Sequence, residues 1–178
     1  DTAKNVRSRR VALYEHSISP LVMEKIMKVK FAELRGGNDS DVNEFFRNYC
    51  EFFKLMTYDT VTYEATIVNA IPEHGAIYGG KKGPIQNRKD FENYDWDGIV
   101  EKYWKKYDRE FKAMGRNIPA GMKAIGGVGN GVFELSEDFV GYEYLCYVQL
   151  DDPELFKNLY VRIGDIMFAI WSRFLEKY

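Results

Sequence analysis

The chain has 178 residues, 46% of them apolar, and its 25 basic and 27 acidic side chains leave a formal charge of −2. That length and apolar fraction are enough for one domain with a real core, here taken as residues 1–178. The interleaved, near-neutral charge argues against nucleic acid as the main partner, because phosphate binders carry a basic excess. No run of about 18 apolar residues is present, so no membrane span is expected. The amino-terminal DTAKNVRSRR has no apolar segment of the kind a secretory leader needs, so a cytoplasmic location is expected.

RRVALYEHSIS (9–19) begins with a short apolar run, Val11 to Tyr14, and ends in polar residues. It predicts a buried strand whose carboxyl end carries Glu15, His16 and Ser17. Ser19-Pro20 then opens a short helix, PLVMEKIM, with proline in the first turn. RGGNDSD (35–41) is a break, and Asn38, Asp39 and Ser40 are cap candidates for the next helix. Asp41 with Glu44 has the spacing of a capping box.

That helix, DVNEFFRNYCEFFKLM, repeats Val42, Phe45, Phe46, Tyr49, Phe52, Phe53 and Met56 at three- and four-residue intervals. The stripe is wide, so the helix must cover something large. YDTVTYEATIV (58–68) is β-branched and aromatic and predicts a second strand. Residues 70–90 are irregular, with Gly79-Gly80 and Gly83-Pro84 as turn signals for a hairpin or an excursion loop.

WDGIVEKYWKKYDREFKAM (96–114) keeps helical spacing at Ile99, Val100, Tyr103, Trp104, Tyr107 and Phe111. MKAIGGV predicts a third strand. SEDFVGYEYLCYVQL and DDPELFKNLYVRIGDIMFAIWSRFLEKY predict two more helices, the last capped by Asp151 or Asp152 with Pro153 in its first turn. Strands alternating with amphipathic helices argue a parallel sheet with right-handed crossovers, either doubly wound or a (β/α)₈ barrel.

Both cysteines, Cys50 and Cys146, lie in apolar helical patterns and read as buried thiols rather than a disulfide or metal pair. With only His16 and His74, and no HxxxH, CxxC or HxC spacing, the chain shows no zinc or iron site.

AIGGVGNG (124–131) places four glycines within six residues. Neither GxGxxG nor GK[ST] is matched, which argues against a nucleotide cradle. Two readings remain: a strand-end loop that lets a flat ligand approach the backbone, or a tight turn that packs the next helix onto the sheet.

The order of segments resembles the uroporphyrinogen decarboxylase superfamily. The residues that carry the resemblance are the glycine-rich strand end Gly126 to Gly131, then Phe133-Glu134, Gly141-Tyr142-Glu143 and Asp151 to Leu155, with GPIQNRKDFENYDWD before them. RVALYEHSIS and YDTVTYEATI are similar to that family's first and second strands. The resemblance implies a partial (β/α)₈ TIM barrel of about three βα units with long covering helices. It also implies either a cofactor-free tetrapyrrole decarboxylase, a carboxy-lyase, or a methyltransferase that moves a methyl group between a corrinoid and a thiol with zinc. A whole member is about twice this length, so an open sheet would call for self-association or a second half of the barrel.

The decarboxylase pattern ends the first strand in arginines that meet the substrate's carboxylates. Here the stretch is Tyr14-Glu15-His16-Ser17-Ile18-Ser19, with no arginine, and Glu15 would repel a polyacid. The family aspartate after the second strand has no clean match; Thr66 falls there and Glu64 is the nearest carboxylate. The family tyrosine near the third strand falls at about Glu137.

The strand ends in a barrel face the ligand, which nominates Glu64 and His16 as catalytic candidates. Glu15, Tyr63, Gly129, Asn130 and Glu134 are the substrate-binding candidates. Strand alternation predicts that one of Glu15 and His16 faces a neighbouring helix. A carboxylate at position 64 in an apolar strand must find a partner or serve a site. His74 and Lys81-Lys82 read as exposed loop residues. The expected function is therefore a methyltransferase-like enzyme of the superfamily. The alternatives are a tetrapyrrole decarboxylase, a non-catalytic half that binds a tetrapyrrole or a partner chain, or a nucleotide-binding doubly wound domain.

Overall fold

The computed structural model describes residues 4–178; the first three residues of DTAKNVRSRR lie outside it. Mixed α/β character is borne out, but the sheet has two parallel strands among the described residues, not three. The elements are α1 (Pro20–Met27), α2 (Asp39–Leu55), β1 (Thr60–Thr66), α3 (Arg88–Asn93), α4 (Asp97–Asn117), β2 (Lys123–Gly129), α5 (Val132–Val140), α6 (Tyr142–Asp151) and α7 (Pro153–Lys177). No helix among the described residues is long and apolar enough to cross a membrane. The described residues divide into two compact units, residues 4–64 with 108–127 and residues 65–107 with 128–178.

The first unit is organised by α2. Its cap is Asn38, whose side chain accepts from Ser40 N (2.8 Å) and Asp41 N (3.1 Å), while Asp41 accepts from Asn38 N (2.9 Å). The reciprocal box therefore pairs Asn38 with Asp41, and not Asp41 with Glu44. Val42, Phe45, Phe46, Tyr49, Phe52 and Phe53 are buried, each worth about 1.5–3 kcal/mol of burial for a side chain of that size. Phe46 stands edge-on to the Tyr63 ring at 5.0 Å, and Tyr63 meets Phe111 at 6.0 Å. Met56, the last residue of the predicted stripe, is exposed just past the helix end.

The predicted strand over 9–19 is not formed. Residues 11–17 are exposed, Val11 to 83%, and no ladder reaches them. Asp59 takes over this segment: its carboxylate accepts from Leu13 N (2.7 Å) and pairs with Arg10 (2.9 Å), and its own N–H donates to Leu13 O (3.2 Å). Four apolar residues followed by polar ones are too short a run to fix a strand once a side chain satisfies the backbone instead.

The second unit packs α5 and α6 against α7. Leu155, Leu159, Ile163, Ile166 and Ile170 are buried along α7, whose cap is Asp152 accepting from Leu155 N (3.0 Å). The single helix predicted over 136–150 is two helices. Gly141, at φ +84, breaks the run, a backbone state that glycine enters without a Cβ penalty. The irregular stretch 70–90 follows a 3₁₀ turn at Val68–Ala70 and holds a second at Ala76–Tyr78 and the start of α3, which the sequence pattern did not single out. Tyr103 anchors α4 by donating to Ala65 O (3.0 Å). Cys146 is exposed, correcting the expectation of two buried thiols; Cys50 is buried, and burial pushes its thiol up to about 12.

Candidate functional site

In β1 the side chains alternate across the strand, so Tyr63 and Glu64 part company. Tyr63 turns into the first unit's core. Its hydroxyl donates to Glu110 and accepts from Arg35 Nη2 (3.0 Å), and Arg35 also pairs with Glu110 at 2.9 Å. A tyrosine so placed is a core residue with both of its polar roles filled.

Glu64 turns outward and is exposed. The structure brings His16 to it: Nε2 lies 3.6 Å from Glu64 Oε2. The other ring nitrogen, Nδ1, shares a 3.0 Å hydrogen bond with the Tyr14 hydroxyl. Glu15 accepts from the His16 backbone N–H at 3.0 Å and so braces the same turn. A phenol, an imidazole and a carboxylate thus stand in line on the surface of the first unit. Such a chain can take a proton at the imidazole while the carboxylate stabilises the resulting charge. Both Glu15 and His16 are exposed, so the expectation that one of them faces a helix is not met. The residue the sequence reading missed here is Tyr14, which lies only two positions from His16.

Glycine explains why this arrangement closes. A Cβ at position 126 would lie 2.2 Å from Tyr63 O and 3.1 Å from Glu64 Cγ, and φ there is +115. Only a residue without a side chain lets β2 pass β1 at that point. The glycine run therefore begins inside the strand, serving close strand approach, and is neither a loop cradle nor a turn at Gly126.

In the second unit, Gly129, Asn130 and Glu134 are committed to the backbone. Gly129 O accepts from Ile67 N (3.3 Å), and Asn130 Oδ1 accepts from Val68 N (3.0 Å) with Asn130 at φ +79. Glu134 accepts from Gly131 N at 2.6 Å, the carboxylate half of a helix cap on α5. These three residues set the course of the chain out of both strands.

No family model, curated protein or solved structure matches this chain. Among the described residues, no group of three or more His, Cys, Asp or Glu side chains is placed to hold a metal ion. His74 is exposed, as predicted, and Lys81 donates to the carbonyls of Glu73 (2.8 Å) and His74.

Proposed function

We propose that this chain belongs to a partial (β/α)₈ barrel of the uroporphyrinogen decarboxylase superfamily and serves methyl transfer between a corrinoid and a thiol. The observation that carries the reading is the His16–Glu64 pair at 3.6 Å, exposed beside a parallel strand. A thiol is a poor nucleophile until it loses its proton. An imidazole whose Nε2 faces Glu64 could receive that proton at Nδ1 by way of the Tyr14 hydroxyl, which would take the thiol's proton as it passes its own to the ring, leaving the imidazolium beside the Glu64 carboxylate. The corrinoid would supply the methyl group: the sulfur–carbon bond forms as the cobalt–carbon bond breaks, and the corrinoid would leave with that bond's electron pair.

Decarboxylation of a polycarboxylate fits less well. Arg10, the arginine nearest in sequence to this turn, is paired with Asp59, and the turn itself presents Glu15 and Glu64. A polyanion would meet like charge where that chemistry needs guanidinium forks.

The test uses the complete protein with methylcobalamin and mercaptoethanol, followed by absorbance and by mass spectrometry of the thioether. Thiol-dependent demethylation is expected. His16→Ala and Glu64→Gln should each lower its rate by about 10²–10⁴-fold, the usual contribution of a positioned acid or base, while leaving the corrinoid titration unchanged. No spectral change on mixing the wild-type protein with the corrinoid would end this reading. Corrinoid binding without transfer would support a non-catalytic tetrapyrrole-binding role instead.

A further inference from the structure

The second unit contains a cleft of about 800 Å³ between the loop at 76–86 and the start of α6. That is the size of an ordinary small-molecule site. We propose that this cleft binds a planar, conjugated ring ligand carrying one anionic group, a phosphate or a carboxylate. The rings of Tyr142, Tyr144 and Tyr147 would lie against the ligand, and Lys82 would meet the anion.

The lining sorts into these roles. Tyr142 and Tyr147 are 63% and 58% exposed, so both side chains have surface left to meet a partner. Phenol rings offer flat apolar area with a polar edge, which suits a conjugated ring more than an aliphatic chain. Lys81 is occupied by two backbone carbonyls. Lys82 is exposed and pairs with no carboxylate among the described residues. Glu143 also lines the cleft and adds a negative charge, which disfavours a ligand with several anionic groups.

The walls are held in place before any ligand arrives. Asp138 is fully buried, and its Oδ1 accepts from Gly75 N (2.7 Å) and Ile77 N (3.2 Å). Gln86 Nε2 donates to Gly83 O (3.1 Å) and Val140 O (2.7 Å), and Ile85 N donates to Phe139 O (2.9 Å). A Cβ at Gly83 would lie 2.3 Å from the Phe139 carbonyl, so the loop touches α5 backbone to backbone. Gly79 and Gly80, both at φ +78, have nothing within 4 Å of an added Cβ, which leaves the rim open above them. A wall stitched in this way loses little freedom on binding. None of Tyr14, His16 and Glu64 lines this cleft, so methyl transfer and ring binding stand or fall separately.

The experiment is a fluorescence titration of the complete protein with flavin mononucleotide and with pyrenecarboxylate, and with riboflavin as the uncharged control. Both anionic probes should bind saturably, and riboflavin about tenfold or more weakly than its phosphate. Lys82→Ala should remove that preference and leave riboflavin unchanged. Tyr147→Ala should weaken all three. Both side chains are exposed, so the variants should fold, which circular dichroism checks. Saturation by the phosphate alone or the carboxylate alone would name the anion. Failure of both anionic probes to saturate, or a Lys82→Ala variant equal to wild type, would overturn the proposal.

Discussion

The first unit buries Glu110 beside a guanidinium, and the second buries Asp138 beside none. Glu110 meets Arg35 at 2.9 Å and the Tyr63 hydroxyl, so charge and hydrogen bonds are both answered. Asp138 has two backbone N–H groups on Oδ1, while Oδ2 is buried with no hydrogen-bond partner among the described residues. The Tyr94 hydroxyl in the same unit is buried and likewise without a hydrogen-bond partner. Burial first, and then the carboxylates of Glu73, Asp138 and Asp95, push that hydroxyl up to about 12. Glu24, back in the first unit, is a third case. One of its oxygens accepts from Phe31 N (2.7 Å) and Ala32 N (2.9 Å), and the other meets Lys30 (3.0 Å). Side-chain cations complete the buried acids of the first unit, and backbone alone serves the second. The contrast teaches that a buried carboxylate can organise a loop without an ion pair, provided its first oxygen is fully used.

The largest effect should come from breaking the Arg35–Glu110 pair from the arginine side. Arg35→Ala would strand an acid whose side chain is 6% exposed, a loss of about 3–5 kcal/mol in urea unfolding. Glu110→Gln should cost less, because the Arg35 side chain is 40% exposed and can turn to water. Equal losses, or the reverse order, would show that the pair is not what the first unit relies on.

A smaller effect tests the second unit. Asp138→Ala removes the acceptor from two N–H groups and should cost about 1–3 kcal/mol, with faster amide exchange at Gly75 and Ile77. Asp138→Asn keeps an acceptor and should lose less. If both variants lose equally, the charge matters and the comparison with Glu110 fails.

The mildest test is pH. Hydrogen bonds from Ala32 N and Phe31 N, then Lys30, hold the Glu24 carboxyl at about 2, against 4.5 for the free group. Because the folded value is depressed, its contribution to stability is complete above pH 4.5 and fades as pH falls towards 2. Glu24→Gln, whose amide oxygen can still accept both N–H bonds, should flatten the loss of stability over that window. A variant with the wild-type slope would remove Glu24 from the comparison.

How much of this was legible in the chain can be judged from particular segments. PLVMEKIM starts and ends as predicted, because a proline in the first turn is a local signal. The α2 stripe as far as Phe53 was equally readable, and the cap of α7 was narrowed to Asp151 or Asp152, of which the structure uses Asp152. The strand at 9–19 was not, because a carboxylate 46 residues away from Leu13 replaced the ladder. The pairing of His16 with Glu64 was legible only as two separate candidates. Asp138, within LSEDFVGY, gave no sign that it would be fully buried, and nothing local distinguished Asn130 as the clamp on Val68 N, whereas Glu134 caps Gly131 N only three residues away.

Periodicity, β-branched and aromatic content, proline and cap residues by themselves determined where most helices and both observed strands lie, because those preferences act within a few residues of the chain. Which side chains meet was decided only by tertiary structure. The His16–Glu64 pair, the Arg35–Glu110–Tyr63 cluster and the passage of Gly126 past Tyr63 all join residues far apart in sequence. Local spacing carries no information about such meetings; hydrogen bonding, close packing and the exclusion of a Cβ do.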